Sequence, residues 1–370
     1  MTIVTPTGIV GINSITSLVN DITFSTASGG SLTANGLSFT SINGGPLAGF
    51  RNAIINGNFD IWQRGTSFTA SDYGADRWLN SRTGSTCTMS RQAFTLGQTD
   101  VPGEPTYFCR MAVTSVAGAG NNSILQHRIE GVRTFAGQTV TVSFWAKADG
   151  SKPIAVELSQ RFGTGGSPSS GVDISGTTKV TLSTSWQKVT VTANVPSISG
   201  KTLGTNNDDL FQLNIWFDAG SNFNDRTNSL GQQSGTFDIA QVQIEAGTVA
   251  TPFERRSYGQ ELALCQRYYF QTPSLSGYND RGAIFHIRNQ AGDVSPWPFW
   301  GHMPLPVPMR STPSVVFYSF SGTSNRVSAG VGGAPDRVIS SVTIYGTFLT
   351  IGIESGAEHC YANFTANAEL

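Results

Sequence analysis

One run of the chain has the side-chain types and spacing to grip a sugar. In residues 210–218, Phe211, Leu213, Ile215 and Phe217 alternate with Gln212, Asn214, Trp216 and Asp218. A period of two sends these sets to opposite faces of a strand. A sugar ring offers apolar C–H patches and a rim of hydroxyls. An indole face covers the first, while amides, carboxylates and guanidinium groups bond the second. Trp216, flanked by Asn214 and Asp218 with Gln212 in line, is therefore a candidate binding face. Trp145, on the polar side of the run 139–147, is a second candidate aromatic. Gln126, Arg128 and Glu130 share one face of the run 124–130, and Gln160 falls near them in the run 154–161. The competing reading is that these residues pack against another subunit or line a solvated sheet.

A second aromatic group, Trp297, Phe299 and Trp300 with Tyr278 and His302, lies among glycine and proline. Aromatics on rigid loops are recognition anchors, so these are candidate receptor contacts, with a subunit-interface core as the alternative. Catalysis has less support. Glu130, Glu157 and Asp218 supply carboxylates, but no spacing singles out an acid–base pair. His127, His286, His302 and His359 lack a Ser or Cys partner in any triad pattern. No phosphate-cradling glycine motif occurs. Cys87, Cys109, Cys265 and Cys360 form no CxxC pair. They are expected as buried thiols rather than zinc ligands, and Cys87 and Cys109 as occupants of neighbouring strands. The reading is a binding protein, not an enzyme.

Composition limits the partners. The formal net charge is −1 and only 13% of residues are charged. There is no basic stripe of the kind nucleic acid selects. No run approaches the ~20 apolar residues of a membrane span, and the first residues lack a basic segment followed by an apolar one. Neither nucleic-acid binding nor membrane insertion is expected, and assembly is expected in a cytoplasm. So little charge leaves much neutral surface, which burial between subunits would hide.

The elements that must carry these residues are strands. Residues 1–50 contain a single charged side chain, Asp21, and two echoing runs, 22–26 and 37–41. This segment reads as an extended β arm that gains its partners from sister chains or a neighbouring protein. Residues 51–256 hold the strand runs 124–130, 139–147, 154–161, 179–182, 186–193, 210–218 and 237–244, separated by Gly- and Asn-rich turns, the pattern of a β-sandwich. Ser257 and Gln260 read as a capping box opening a short helical connector over 257–270. Residues 271–370 carry further strand runs at 314–320, 338–345 and 347–354, and a proline-dotted, edge-type stretch at 303–309. They read as a second, smaller β-sandwich. The fold class is all-β.

Several motifs fall in a set order: Asn56-Gly57-x-Phe59 with Gln63-Arg64; Tyr73-x-x-Asp76-Arg77-Trp78; Val242 to Gly247 with Ala250 to Glu254; Glu261-Leu-x-x-Cys-Gln-Arg-Tyr-Tyr269; Met309-Arg-x-x-Pro313; and Ala366 to Leu370. The first and third groups bracket the strand-rich segment, implying that its first and last strands meet. Over residues 51–370 this set resembles the jelly-roll module of bacteriophage tail fibres and related virion appendages, a relative of carbohydrate-binding modules. The resemblance implies a homotrimer located in the virion. Residues 1–50 would attach it to a tail or capsid protein, and at least one of the two outward-projecting sandwiches would bind host cell-surface polysaccharide. It also implies a structural calcium between first and last strands, with Asn58, Asp60, Asp238 and Glu245 as the oxygen ligands on offer. Two other roles use the same module: a capsid decoration or head-fibre protein, and a polysaccharide-cleaving tailspike.

Overall fold

The computed structural model describes residues 51–174, 178–272, 285–288, 303–319, 322–329, 337–345, 348–353 and 359–370. The expectations placed on residues 1–50, and on Tyr278, Trp297, Phe299, Trp300 and His302, lie outside the described residues. All described residues belong to the compact unit Ser41–Leu370.

In chain order the first strands are β1 (Ser67–Phe68), β2 (Trp78–Thr83), β3 (Thr86–Ala93), β4 (Tyr107–Thr114), β5 (Asn122–Glu130), β6 (Thr139–Ala148), β7 (Lys152–Arg161), β8 (Val172–Asp173), β9 (Thr178–Leu182), β10 (Gln187–Asn194), β11 (Leu210–Ala219) and β12 (Gly235–Ala246). Among the described residues they form two antiparallel sheets. The first has the order β1-β3-β4-β12-β6-β10. The second runs β2-β5-β11-β7-β8, with β9 also paired to β7. One apolar core joins the inner faces: Met89, Met111, Phe144, Phe237 and Ile239 from the first sheet meet Leu125, Leu158, Phe211, Leu213 and Phe217 from the second. Two sheets sharing such a core are a sandwich. Each fully buried Phe contributes about 1.5–3 kcal/mol.

The bracketing segments meet as expected, although residues 56–64 form turns rather than a strand. The Ala53 amide donates to the Ile244 carbonyl at 3.0 Å and the Val242 amide to the Gly57 carbonyl at 2.8 Å. Asn56 and Phe59 adopt positive φ (57° and 55°), so the chain turns back on itself here. Gly57 is required for a different reason. A Cβ built on it would lie 2.1 Å from the Val242 carbonyl oxygen. That carbonyl projects toward Gly57 next to a bulge in β12, where pairing with β6 skips between Ala240 and Gln243 and Gln241 takes a φ of 50°.

Beyond the sandwich, a single-turn helix α1 (Asn224–Thr227) follows β11, and helix α2 (Tyr258–Gln266) follows β12. Ser257 caps α2 in the expected box with Gln260. The remaining strands are β13 (Tyr269–Gln271), β14 (Phe285–Arg288), β15 (Met303–Pro304), β16 (Ser314–Tyr318), β17 (Arg326–Ala329), β18 (Arg337–Tyr345), β19 (Phe348–Ile353) and β20 (His359–Asn367). Among the described residues they make one sheet in which β13, β14, β16 and β17 all pair with β20, and the proline-bearing β15 lies at the edge. Cys87 and Cys109 occupy the adjacent strands β3 and β4. Burial pushes the Cys87 thiol up to about 11 and the Cys109 and Cys265 thiols well above their usual range, which keeps them protonated hydrophobes.

Candidate functional site

The sequence motifs converge on one buried cluster, and it is a structural one. Asp76 accepts from the Gln63 amide at 2.8 Å and from the Arg64 guanidinium at 3.1 Å. Arg64 also reaches Glu369 at 3.1 Å, and the fully buried Arg77 pairs with the same carboxylate. Arg64 lies over the Tyr269 ring and Arg77 over the Tyr268 ring, each 3.5 Å from the centroid. Tyr73 Oη donates to the Leu370 carbonyl oxygen at 3.0 Å. Residues from 63–77, 268–269 and 369–370 thus lock together, fastening the strand at the centre of the C-terminal sheet to the sandwich.

The expected glycan-binding residues do not form one site. On the outer face of the second sheet, Gln126 and Gln212 both donate to Asn214 Oδ1, at 2.9 and 2.7 Å. The Asn214 amide donates to Glu157 at 2.8 Å, and Arg128 donates to Gln126 Oε1 at 2.8 Å. Arg226, from α1, grips Glu157 with two bonds of 2.7 and 2.9 Å. This ladder brings Gln126, Arg128, Gln212 and Asn214 together as expected, but its members largely satisfy one another.

Three of the expected residues leave that face or are covered on it. Trp216 is outward but only 1% exposed, packed with Ile124, Ala155, Ala219 and Leu230. The Phe223 ring lies 5.1 Å from it, and its indole N–H donates to Glu157 at 3.0 Å. It is a core residue of the cap formed by residues 221–230, not a free platform. Asp218 leaves the row because β11 bulges at Phe217. The pairs Trp216–Ile124 and Asp218–Ser123 flank the irregularity, and Asp218 accepts instead from Ser85 and Ser115 at 2.6 and 2.8 Å. Gln160 pairs with the inward Phe211 and donates to the Pro196 carbonyl at 3.0 Å, so alternation puts it on the other side of the sheet.

The candidate carboxylates are also engaged. Glu130 accepts from Arg267 and Tyr268 at 2.9 and 2.8 Å. Burial pushes its carboxyl up, but those two donors more than offset this and hold it below the usual range. With Glu157 and Asp218 bonded as above, the three are anchored in separate networks.

The oxygen ligands considered for calcium are likewise dispersed. The Asn58 amide donates to Asp60 at 2.8 Å. Asp238 is held by Arg110 at 2.7 Å and lies 3.8 Å from Lys147. Glu245 pairs with Arg51 at 3.1 Å and accepts from Thr251. Among the described residues no group of three metal-binding side chains comes together. Cations aimed at Asp238 and Glu245 supply the charge compensation a metal would provide there, while Asp60 is bonded by the neutral Asn58 amide.

Trp145 has a different setting, on the outer face of the first sheet. There it faces a groove of ≈ 480 Å³. Lys188 stands directly beside it on β10, and Ala240, its partner on β12, is small. Pro252, Phe253 and Arg255, with Pro102, Gly103 and Gln241, complete its lining. The β12 bulge turns Gln241 toward Pro102, whose carbonyl accepts from its amide at 2.7 Å. Bulges re-aim side chains in this way, and a non-glycine residue at positive φ is strain held in place by its surroundings. Among the described residues nothing accepts from the Trp145 indole N–H. A second hollow, of ≈ 600 Å³ between α2 and Val307–Pro308, is apolar. Its cations are already engaged, Arg256 with Glu261 and Arg267 with Glu130.

Sequence reasoning found Trp145 by its place in an alternating strand. It missed Lys188, Gln241, Phe253 and Arg255, because they reach the groove from three separate segments. The only signal was the Ala250–Glu254 motif, which supplies part of the lining.

No protein-family model matches the chain, and no curated protein matches it. Solved structures similar to it include a putative sugar-binding protein from Bacteroides thetaiotaomicron (15% identity, covering 53% of this chain and 100% of that one, TM-score 0.34). A family 11 carbohydrate-binding module from Clostridium thermocellum, in complex with a β-1,3-1,4-mixed-linked tetrasaccharide, is another (11% identity, 50% and 98%, TM-score 0.29). A third is the enzymatically active domain of tailspike protein 4 of bacteriophage CBA120 (15% identity, 53% and 21%, TM-score 0.31). The sandwich assignment rests on this chain's own strand pairings.

Proposed function

We propose that this protein binds carbohydrate through the groove beside Trp145, without cleaving it. The carrying observation is an indole whose N–H has no acceptor among the described residues, on the outer sheet face beside a concave site lined by Phe253, two prolines, Lys188, Gln241 and Arg255. Small-molecule sites combine an apolar lining with a few convergent polar groups in this way. The volume lies within the usual range for such sites, ~300–1,000 Å³.

The finer reading is a phage virion appendage of the tail-fibre type. Residues 1–50 would attach it to the particle, three copies would associate, and the groove would contact host-surface polysaccharide. Its support is the resemblance carried by the ordered motifs, together with the way three of them interlock around Glu369. Three grooves per trimer and many trimers per particle raise avidity without new contacts. The direct test is binding of Trp145→Ala to host-surface polysaccharide. Loss of binding in a protein that still melts like the parent is expected, and unchanged binding refutes the groove. Imaging intact particles that carry the labelled protein tests the virion assignment, and a label found nowhere on the particle removes it.

A further inference from the structure

The groove contains more positive charge than its surroundings require. Lys188 and Arg255 both line it, and no Asp or Glu does. Neither cation forms an ion pair among the described residues. Lys188 Nζ lies 3.5 Å from the Thr251 carbonyl oxygen and the Arg255 guanidinium 3.3 Å from that of Gly103, both weak contacts.

The nearby carboxylates are turned elsewhere. Glu245 is fully buried, bonded to Thr251 and paired with Arg51. Glu254 accepts from the Asn52 amide at 2.8 Å. Asp60 feels Arg255 at a distance but is outside the lining. In a chain of net charge −1 with few charged residues, this is a local cationic field beside an aromatic side chain. A neutral sugar needs donors and acceptors in comparable numbers. A carboxylate-bearing sugar needs cations, and a guanidinium fork matches a carboxylate in shape.

Resting on the groove reading above, we propose that the ligand is an acidic glycan whose uronic or ulosonic acid carboxylate lies between Lys188 and Arg255 while its ring stacks on Trp145. The test is titration calorimetry on the full chain with three probes: a galacturonate trisaccharide, a hyaluronate tetrasaccharide and a sialic acid trimer. Each is paired with its carboxyl-reduced counterpart. At least one acidic probe is expected to bind, its reduced counterpart at least about tenfold more weakly, a gap that narrows as salt screens the charges. Lys188→Gln and Arg255→Gln should each weaken the acidic probe several-fold and its neutral counterpart by a clearly smaller factor, narrowing the gap between the two. Trp145→Ala should weaken both.

If carboxyl reduction leaves affinity unchanged while Trp145→Ala abolishes it, the acidic assignment fails and the groove reading stands. If Trp145→Ala changes no measured affinity, the groove reading itself fails. Absence of binding by all three acidic probes overturns the assignment. Both cations are exposed, so the Gln variants should fold, and matching thermal melts check this.

Discussion

Arg77 and Glu369 are 292 residues apart in sequence, yet the buried guanidinium of one pairs with the carboxylate of the other. Arg77 is fully buried and Glu369 nearly so. This pair fastens the C-terminal sheet to the sandwich, because Glu369 lies two residues beyond the end of β20. Removing one partner leaves the other charge buried and uncompensated, which typically costs about 3–5 kcal/mol. Glu369→Ala should lower the urea midpoint accordingly and make the C-terminal segment sensitive to limited proteolysis before the sandwich. A midpoint within error of the parent would contradict the clamp.

Gly57→Ala tests the junction of the bracketing segments. The added Cβ cannot coexist with the Val242 carbonyl oxygen at 2.1 Å, so the backbone must shift. Overpacking of this kind costs about 1–3 kcal/mol. Because the shift bears on the β12 bulge, the same variant should also weaken ligand binding at the groove. Calorimetric melting and ligand titration on one sample read both effects.

Trp216→Ala and Trp145→Ala should behave oppositely. Trp216 is buried under Phe223, and its indole bonds Glu157. Its removal should cost about 3–5 kcal/mol as a large-to-small core change. Trp145 is only half-buried, so its removal should leave the melt nearly unchanged and abolish binding. The reverse pattern would return the site to the second sheet.

Glu130 gives stability a pH dependence of known sign. Its folded pKa is held below its ordinary 4.5. Its contribution is therefore present above that value and lost as pH falls through the lower, folded pKa. The stability gap between the parent and Glu130→Gln should be largest near neutral pH and vanish as pH falls through the lowered folded pKa. Denaturation curves across this range check it, and a gap that widens on acidification would contradict the Arg267–Glu130 pairing.

Much of the sandwich was legible because strand alternation is written locally. The runs around Phe144, Leu213 and Ile239 each matched a strand, and Ser257 with Gln260 announced α2. β3 and β4 were harder. Their alternation mixes Thr, Ser, Arg and Gln with Met and Cys, and only Cys87 and Cys109 hinted that they were neighbours. The metal expectation treated Asp238 and Glu245 as free oxygens. Their partners Arg110 and Arg51 are more than a hundred residues away in sequence, so no local pattern could reveal that both were already neutralised.

The sequence alone determined that this is a strand-built, weakly charged chain, which residues alternate along the regular strands, and that its ordered motifs belong together. The β11 bulge that turns Asp218 away and the pairing that puts Gln160 on the inner side needed the structure. Tertiary structure decided which outward residues remain open. Side-chain direction follows from backbone alternation over a few residues. Coverage depends on segments that arrive from elsewhere, so residues 221–230 close over Trp216 while residues 250–255 line a groove beside Trp145 and leave it half-buried.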